Sequence, residues 1–310
     1  MNKTVNGAVC AGVLFLSLAA SVEAVPITEQ SLIHVRQAET TFSSAFLLDN
    51  FTTTDSSVSH ALDTTSGFDS AIQGRASLIT GETGTSAITS TNDPNIRAAS
   101  SVVTLFDTLT FTPDTSLPIL PAAIPIAYGL GFDGSLANTN PFGASTASTI
   151  VTLYDITGLT TWLTQTVLDP AYPTDVYIFS DAPVVSTLGI NLFVGAQSII
   201  DSSPILNDFD QAIGNTDGSV FDFNLNKTET FLADPSKTYG ISIQTSSVAS
   251  GLDSFSDFIN TSAFNFTNLN GATFASGSGT FLTAAVSEPS VLALLGIGMI
   301  GLMAHRRSRS

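Results

Sequence analysis

Hydrophobic and polar residues alternate with a period of two along several segments between residues 25 and 286. The segments are rich in Val, Ile, Phe, Tyr and Thr, and they cover residues 103–112, 149–156, 175–180, 219–225, 238–245, 263–269 and 279–284. This alternation gives a strand one buried and one solvated face, as in antiparallel sheets packed on each other. The pattern predicts an all-β body built as an antiparallel β-sandwich of jelly-roll type.

Other stretches interrupt the alternation. Residues 52–101 are dense in Ser, Thr, Asp and Gly, which predicts long loops or marginal strands. Three prolines in residues 117–126 deny hydrogen bonds to a sheet, so we expect a crossing between sheets there, or a subdomain boundary near 113–126. Residues 28–38 are expected to form a short helix, and residues 277–279 a hairpin turn.

The charge of the chain is strongly acidic. Its 310 residues include 26 Asp or Glu against 9 Lys or Arg, a formal net charge of −17. Between residues 25 and 286 there are 24 acidic residues and 5 basic ones, and residues 98–226 contain no Lys or Arg. Such a body repels phosphate backbones and lacks the basic footprint of nucleic-acid binders, which excludes that function. The acids are spread singly, as on a solvated surface.

The first 24 residues have the pattern of a secretory signal peptide. Lys3 supplies a positive charge, residues 8–20 are apolar, and small residues precede a cleavage site after Ala24. The chain has a single cysteine, Cys10, which lies inside this segment. The exported body, residues 25–286, would therefore contain no disulfide and would depend on its core or on bound ions.

The last 24 residues combine three kinds of segment. An apolar run over residues 291–304 follows a short polar motif and precedes a basic end. The motif is Ser287, Glu288, Pro289 and Ser290, and the basic end contains Arg306, Arg307 and Arg309. A helix of 14 residues extends about 21 Å, less than the roughly 30 Å hydrocarbon core. We therefore expect a short transmembrane helix that inserts transiently into the inner membrane, with its basic end in the cytoplasm.

This tail resembles the PEP-CTERM sorting signal of Gram-negative bacteria. Glu288 and Pro289 match the second and third positions of the Pro-Glu-Pro motif, Ser287 replaces the first proline, and the arginines match the basic end. The resemblance covers residues 287–310. It implies recognition by an exosortase, a membrane-embedded transpeptidase-like enzyme, and an exported protein at the cell surface or in an exopolysaccharide matrix.

Little in the body predicts catalysis. It has no cysteine and no Gly-x-Ser-x-Gly elbow, and His34 and His60 are its only possible imidazole bases. Phosphate-binding glycine loops are also missing from the sequence. Because 20 of the 26 acidic residues are Asp, a glycoside hydrolase using paired aspartates is the main alternative to a non-enzymatic body.

Two short Asn/Asp segments are candidates for a structural Ca²⁺ site. Asn207, Asp208 and Asp210 place oxygen-bearing side chains along an extended segment, and Asn215 and Asp217 add a turn. Calcium takes six to eight such oxygen ligands. The alternative is that both segments are ordinary Asn/Asp turns.

Trp162, the only tryptophan, is the candidate platform for a sugar ring. Its neighbours Thr161 and Leu163 fit burial in the core equally well. Together with the tail, these features favour a structural or adhesive protein of an exopolysaccharide layer. A secreted polysaccharide-degrading enzyme is the first alternative, and an ice-binding or carbohydrate-binding protein is a lesser one.

Overall fold

The computed structural model describes residues 24–26, 31–41, 45–53, 57–63, 71–89, 96–114, 122–139, 144–159, 161–168, 173–178, 182–196, 209–251 and 253–283. Within these ranges the chain forms strands and turns, and no helix occurs. The strands are β1 (Ala24–Pro26), β2 (Ser31–Thr41), β3 (Ala45–Thr53), β4 (Ser57–Asp63), β5 (Ala71–Ser77), β6 (Glu82–Ile88), β7 (Ile96–Thr112), β8 (Ile124–Ala137), β9 (Ala144–Asp155), β10 (Thr161–Leu168), β11 (Pro173–Ile178), β12 (Val184–Gly195), β13 (Gln211–Gly214), β14 (Phe221–Ala233), β15 (Tyr239–Ser250), β16 (Phe255–Asn268) and β17 (Thr273–Ser276).

The strands form two large sheets and one small sheet. The eight-stranded sheet has the order β13-β12-β9-β15-β7-β2-β3, with β17 also pairing with β7. The six-stranded sheet has the order β14-β8-β16-β6-β5-β4, and β1-β10-β11 form the small one. All of these pairs are antiparallel except β12 with β13. The strands β2 and β17 pair with the same edge of β7, the edge opposite β15. The strand β2 pairs with β7 as far as Asp107, and β17 pairs with it from Leu109 onwards.

One half of the space between the two large sheets is filled by aromatic rings. Phe111 of β7 is 1% exposed, and its ring centroid lies 5.7 Å from Phe231, 5.9 Å from Tyr239 and 5.7 Å from Phe266. All three pairs have edge-to-face geometry, which aromatic quadrupoles favour. Because these rings come from β7, β14, β15 and β16, their burial joins the two sheets.

The other half is closed by pairs of hydroxyl groups. The Thr83 Oγ1 of β6 lies 2.6 Å from the Thr245 Oγ1 of β15, and the next pair, Thr85 with Ser247, is 2.8 Å apart. The hydroxyl of Thr245 also donates to the Thr149 Oγ1 at 3.1 Å. These side chains are small and pair with each other, so the sheets meet here with the hydrogen bonds of these hydroxyl groups satisfied.

The eight-stranded sheet also buries part of its outer face. Leu32, Phe106, Tyr154 and Ile156 form a second buried cluster, separate from the main core. The strand β11 of the small sheet also contacts β7.

The all-β class and the antiparallel sheets are confirmed, and the two large sheets pack as a sandwich. The predicted helix at 28–38 is wrong, because residues 31–41 form β2, which pairs with both β3 and β7. Buried residues from both sides of 113–126 join the same main core. The jelly-roll type and the subdomain boundary stay predictions. The C-terminal helix lies outside the described residues.

Two other local predictions need correction. Residues 71–89, predicted as long loops or marginal strands, form the strands β5 and β6 and a turn. The strand β6 is almost fully buried, because Thr83 and Thr85 find hydroxyl partners in β15. Residues 281–283 form a turn instead of a strand, and the backbone N–H of Thr283 donates to the carbonyl of Thr280. The turn predicted at residues 277–279 is present, but it leads into this second turn.

Candidate functional site

The outer face of the six-stranded sheet is a broad polar surface, and we call it the polar face. Strands β14, β8 and β16 present it, because alternate residues of each strand point away from the core. Its members are Asp222, Asn224, Asn226, Thr228 and Thr230 on β14, Gly129, Gly131, Asp133 and Ser135 on β8, and Asp257, Asn265 and Thr267 on β16. Phe223, Phe132 and Phe258 occupy buried positions on the same strands.

Glycines in the middle strand shape this face. A Cβ atom on Gly129 would lie 2.8 Å from the Asn265 Oδ1, and one on Gly131 would lie 3.0 Å from the Asn226 Oδ1. The amide side chains of Asn265 on β16 and Asn226 on β14 therefore lie over β8, in space that a side chain at Gly129 or Gly131 would occupy. The result is a low surface bearing amide and hydroxyl groups, which both donate and accept hydrogen bonds.

One end of the polar face is acidic. Asp222 is opposite Ser135 in the register of β14 and β8, and Ser135 is also opposite Asp257 of β16. The Ser135 hydroxyl donates to the Asp222 Oδ1 at 2.6 Å. A shallow depression of about 320 Å³ opens here, with Asp133, Asp222, Ser135 and Asn224 among its lining residues.

The polar face was missed at the level of sequence, although part of its signal was present. In residues 221–230, every second residue is Asp, Asn or Thr, and the strand prediction at 219–225 covered its first half. Sequence could not show that β14 lies beside β8 and that β8 lies beside β16.

The described residues of the predicted calcium site lie beside β13 and make contacts within the protein. Lys227 Nζ lies 2.5 Å from the Asp210 Oδ1, and the N–H of Asn191 donates to the Asp210 Oδ2 at 2.9 Å. Asn215 accepts from the N–H of Asp217. The Asp217 carboxylate in turn accepts from the N–H of Ser219, and these hydrogen bonds hold its pKa below the ordinary value.

Contacts of this kind are common in Asn/Asp turns, and the calcium site stays a prediction. Asn207 and Asp208 lie outside the described residues. In the part of the chain that the structure describes, no three His, Cys, Asp or Glu side chains group closely enough to hold a metal ion.

The structure places Trp162 on β10, opposite Val25 of β1. Its side chain lies outside what the structure describes, so the platform for a sugar ring stays a prediction. The sorting residues 287–290 and the basic end at 306–309 also lie outside the described residues. Among the residues that are described, no helix is long and apolar enough to cross a membrane.

Residues 285–307 match the family model of the PEP-CTERM protein-sorting motif. This match confirms the resemblance of the tail, and it includes Ser287, Glu288, Pro289, Arg306 and Arg307. The motif indicates a protein that is exported and sorted by an exosortase to the cell envelope or surface of a Gram-negative bacterium. A search of curated proteins found no match to the chain.

Proposed function

We propose that the protein is a non-catalytic structural or adhesive component of an extracellular polysaccharide layer, and that the polar face is the surface that contacts polysaccharide. The sorting motif at residues 285–307 carries the cellular part of this proposal, since it indicates export and processing. The amides and hydroxyl groups of the polar face support the binding part, since sugar hydroxyls need partners that both donate and accept.

The geometry of the polar face fits a chain-like ligand. The side chains of Asn224, Asn226, Thr228 and Thr230 follow one another along β14, and all four are exposed. Asn265 lies across β8 from Thr228 in the strand register. A polysaccharide lying along the strands would meet a polar group at every second residue, about 6–7 Å apart.

A pull-down with insoluble bacterial polysaccharides tests this proposal. The doubly substituted variant Asn226→Ala/Asn265→Ala removes the two central amides, and we expect it to weaken binding about tenfold, since each hydrogen bond contributes roughly 0.5–1.5 kcal/mol. Gln211→Ala is the matched control, because Gln211 is an exposed amide on β13 of the other large sheet. Failure of the parent protein to bind any polysaccharide would contradict the proposal, as would equal binding by parent and double variant.

One pair of aspartates on the polar face supports the alternative proposal, polysaccharide hydrolysis. Asp133 is opposite Asn224 in the strand register, and Asp222 precedes Asn224 by two residues, so the two aspartates are diagonal neighbours. Diagonal Cβ atoms are roughly 7–8 Å apart, and inverting glycosidases hold their two carboxyl groups about 6.5–9.5 Å apart. Release of reducing sugar by the parent, abolished in Asp222→Asn, would favour the enzyme over the binder.

A structural Ca²⁺ ion is a further part of the proposal, supported by the sequence pattern of residues 207–217 alone. If calcium stabilises the fold, then EDTA lowers the melting temperature and added Ca²⁺ restores it. A melting temperature that EDTA leaves unchanged would remove calcium from the account.

A further inference from the structure

The last described residues, 277–283, connect the two large sheets, and we call this segment the clasp. At its start, the N–H of Gly277 donates to the carbonyl of Thr108 on β7, at 2.8 Å. At its end, the N–H of Leu282 donates to the carbonyl of Leu78 in the β5–β6 turn, also at 2.8 Å. Since β7 belongs to the eight-stranded sheet and the β5–β6 turn to the six-stranded sheet, the clasp closes the sandwich at this side.

A buried carboxylate holds the start of the clasp. Asp107 of β7 is 0% exposed, and its Oδ2 accepts from the Ser278 hydroxyl at 2.5 Å. Its Oδ1 accepts from the N–H of Thr108 at 2.7 Å and from the N–H of Ser278 at 3.2 Å. The Ser278 Oγ also accepts from the N–H of Thr280 at 3.1 Å, so one side chain organises the turn.

Two apolar side chains hold the end of the clasp. Phe281 and Leu282 are 2% and 3% exposed and belong to the main core. The ring of Phe281 stacks on Phe264 of β16 with centroids 5.8 Å apart. Leu282 adopts a positive φ of 59°, a costly conformation for a branched side chain, which its burial against the core offsets.

The clasp ends immediately before the sorting signal. A single residue separates Thr283 from residue 285, where the match to the sorting motif begins. Five residues lead from Thr283 to Glu288, so a fully extended chain between them spans at most about 18 Å. The folded body must therefore come close to any membrane-embedded enzyme that acts at this motif.

Opening the clasp would release the seven residues 277–283 and lengthen the extended tether by roughly 25 Å. We propose that the clasp controls how readily the sorting signal is processed, with Asp107 and Ser278 as positioning residues that set the length of the tether. The closed clasp keeps the tether between the folded body and the motif short, which slows entry of the motif into the enzyme. The open clasp supplies the slack that entry needs. This inference rests on the processing by exosortase that the proposed function includes.

The test follows removal of the tail in a pulse–chase of the full-length protein, in a host strain that contains an exosortase. Ser278→Ala weakens the clasp without leaving an altered charge in the core, and an insertion of about twelve Gly and Ser residues after Thr283 lengthens the tether directly. Ser148→Ala is the matched control, because the Ser148 hydroxyl shares a 2.7 Å hydrogen bond with Ser246, far from the clasp in the strand register.

We expect Ser278→Ala to speed removal of the tail several-fold, and the insertion to do the same. The variant that combines both changes should be no faster than the insertion alone, because both changes lengthen the same tether. The Ser148→Ala control should process like the parent. In purified Ser278→Ala, the amides of Gly277 and Leu282 should exchange with solvent about tenfold faster, while the Ile243 amide of β15 is unchanged.

Several results would overturn this inference. Processing of Ser278→Ala at the parent's rate, beside faster exchange at Gly277 and Leu282, would show that the clasp opens without affecting processing. Slower processing of Ser278→Ala would reverse the proposed direction. A parent protein that keeps its tail in this strain would overturn the proposed sorting as well, which distinguishes that failure from the other two.

Discussion

Raising the pH from about 5 to about 7.5 should destabilise the folded protein through one carboxyl group, that of Asp107. Burial raises the pKa of Asp107 to about 6 from its ordinary value of 3.8, although hydrogen bonds from Ser278 and Thr108 oppose this shift. The folded state therefore binds a proton more tightly than the unfolded chain does. The stabilising contribution is fully present below pH 3.8 and is lost as the pH rises through 6.

The size of the effect follows from the two pKa values. One pKa unit corresponds to 1.36 kcal/mol, so the complete loss across the titration is about 3 kcal/mol. Between about pH 5 and pH 7.5, linkage gives a loss of about 1.4 kcal/mol in the free energy of unfolding. Other carboxyl groups whose pKa is lowered, such as Asp155 and Asp234, change stability at more acidic pH than this window.

Urea denaturation of the parent and of Asp107→Asn, each at both pH values, measures the effect. The substitution removes the titrating proton and leaves a side chain of the same shape, so the drop in free energy of unfolding should be about 1.4 kcal/mol smaller in the variant. Every other titrating group is present in both proteins, so comparing the parent with the variant isolates the contribution of Asp107. An identical drop in both proteins would refute the burial of a titrating Asp107.

Three further substitutions test the packing of the sandwich. Phe111→Ala should reduce the free energy of unfolding by about 3–5 kcal/mol in urea denaturation, because its ring contacts three other aromatic rings, and a loss under about 1 kcal/mol would contradict that burial. Thr245→Val should cost about 1–3 kcal/mol, since the buried hydroxyls of Thr83 in the facing sheet and of Thr149 on β9 each lose a partner, whereas an unchanged midpoint would show that the hydroxyl contacts are unimportant. Lys227→Met should lower the free energy of unfolding by up to about 1 kcal/mol, because it removes the ion pair with Asp210. It should also increase aggregation measured by light scattering, because a charged residue is lost from the edge strand β14. A soluble variant of parental stability would contradict both expectations.

The alternation of large apolar residues predicted several strands of the aromatic half, β7 among them, but it did not predict β8, which contributes Tyr128 and Phe132. In β7, Val103, Leu105, Leu109 and Phe111 all fall on one phase and all are buried. The structure extends this strand back to Ile96 through Ala and Ser residues. Those small residues carry too little hydrophobic signal to mark a strand, although neighbouring strands bury them.

The hydroxyl half was not predictable in the same way. Residues 82–88 contain two Thr and one Ser among small residues, a composition that resembles a loop. Thr83 is nevertheless 0% exposed, because Thr245, 162 residues away in sequence, supplies its hydrogen bond. Sequence shows the hydroxyl but not the partner that makes its burial possible.

The clasp also depends on a hydrogen-bond partner that is distant in sequence and that sequence alone does not show. Asp107 was not predicted as a notable residue, although it falls on the buried phase of β7 between Leu105 and Leu109, a signal that could have found it. Its partner Ser278 lies 171 residues away and inside a segment predicted only as a turn. The sorting motif was predictable from sequence, because its order of short motif, apolar run and basic end is local in sequence.

Processing at the sorting motif can be tested by the intact mass of the protein recovered from its native host, from both the cell surface and the medium. We expect a chain that begins near Val25 and ends near residues 286–289, without the apolar and basic tail. A mass that still includes Arg306 to Ser310 would contradict processing at the sorting motif, and the proposed role in an extracellular layer would lose its main support.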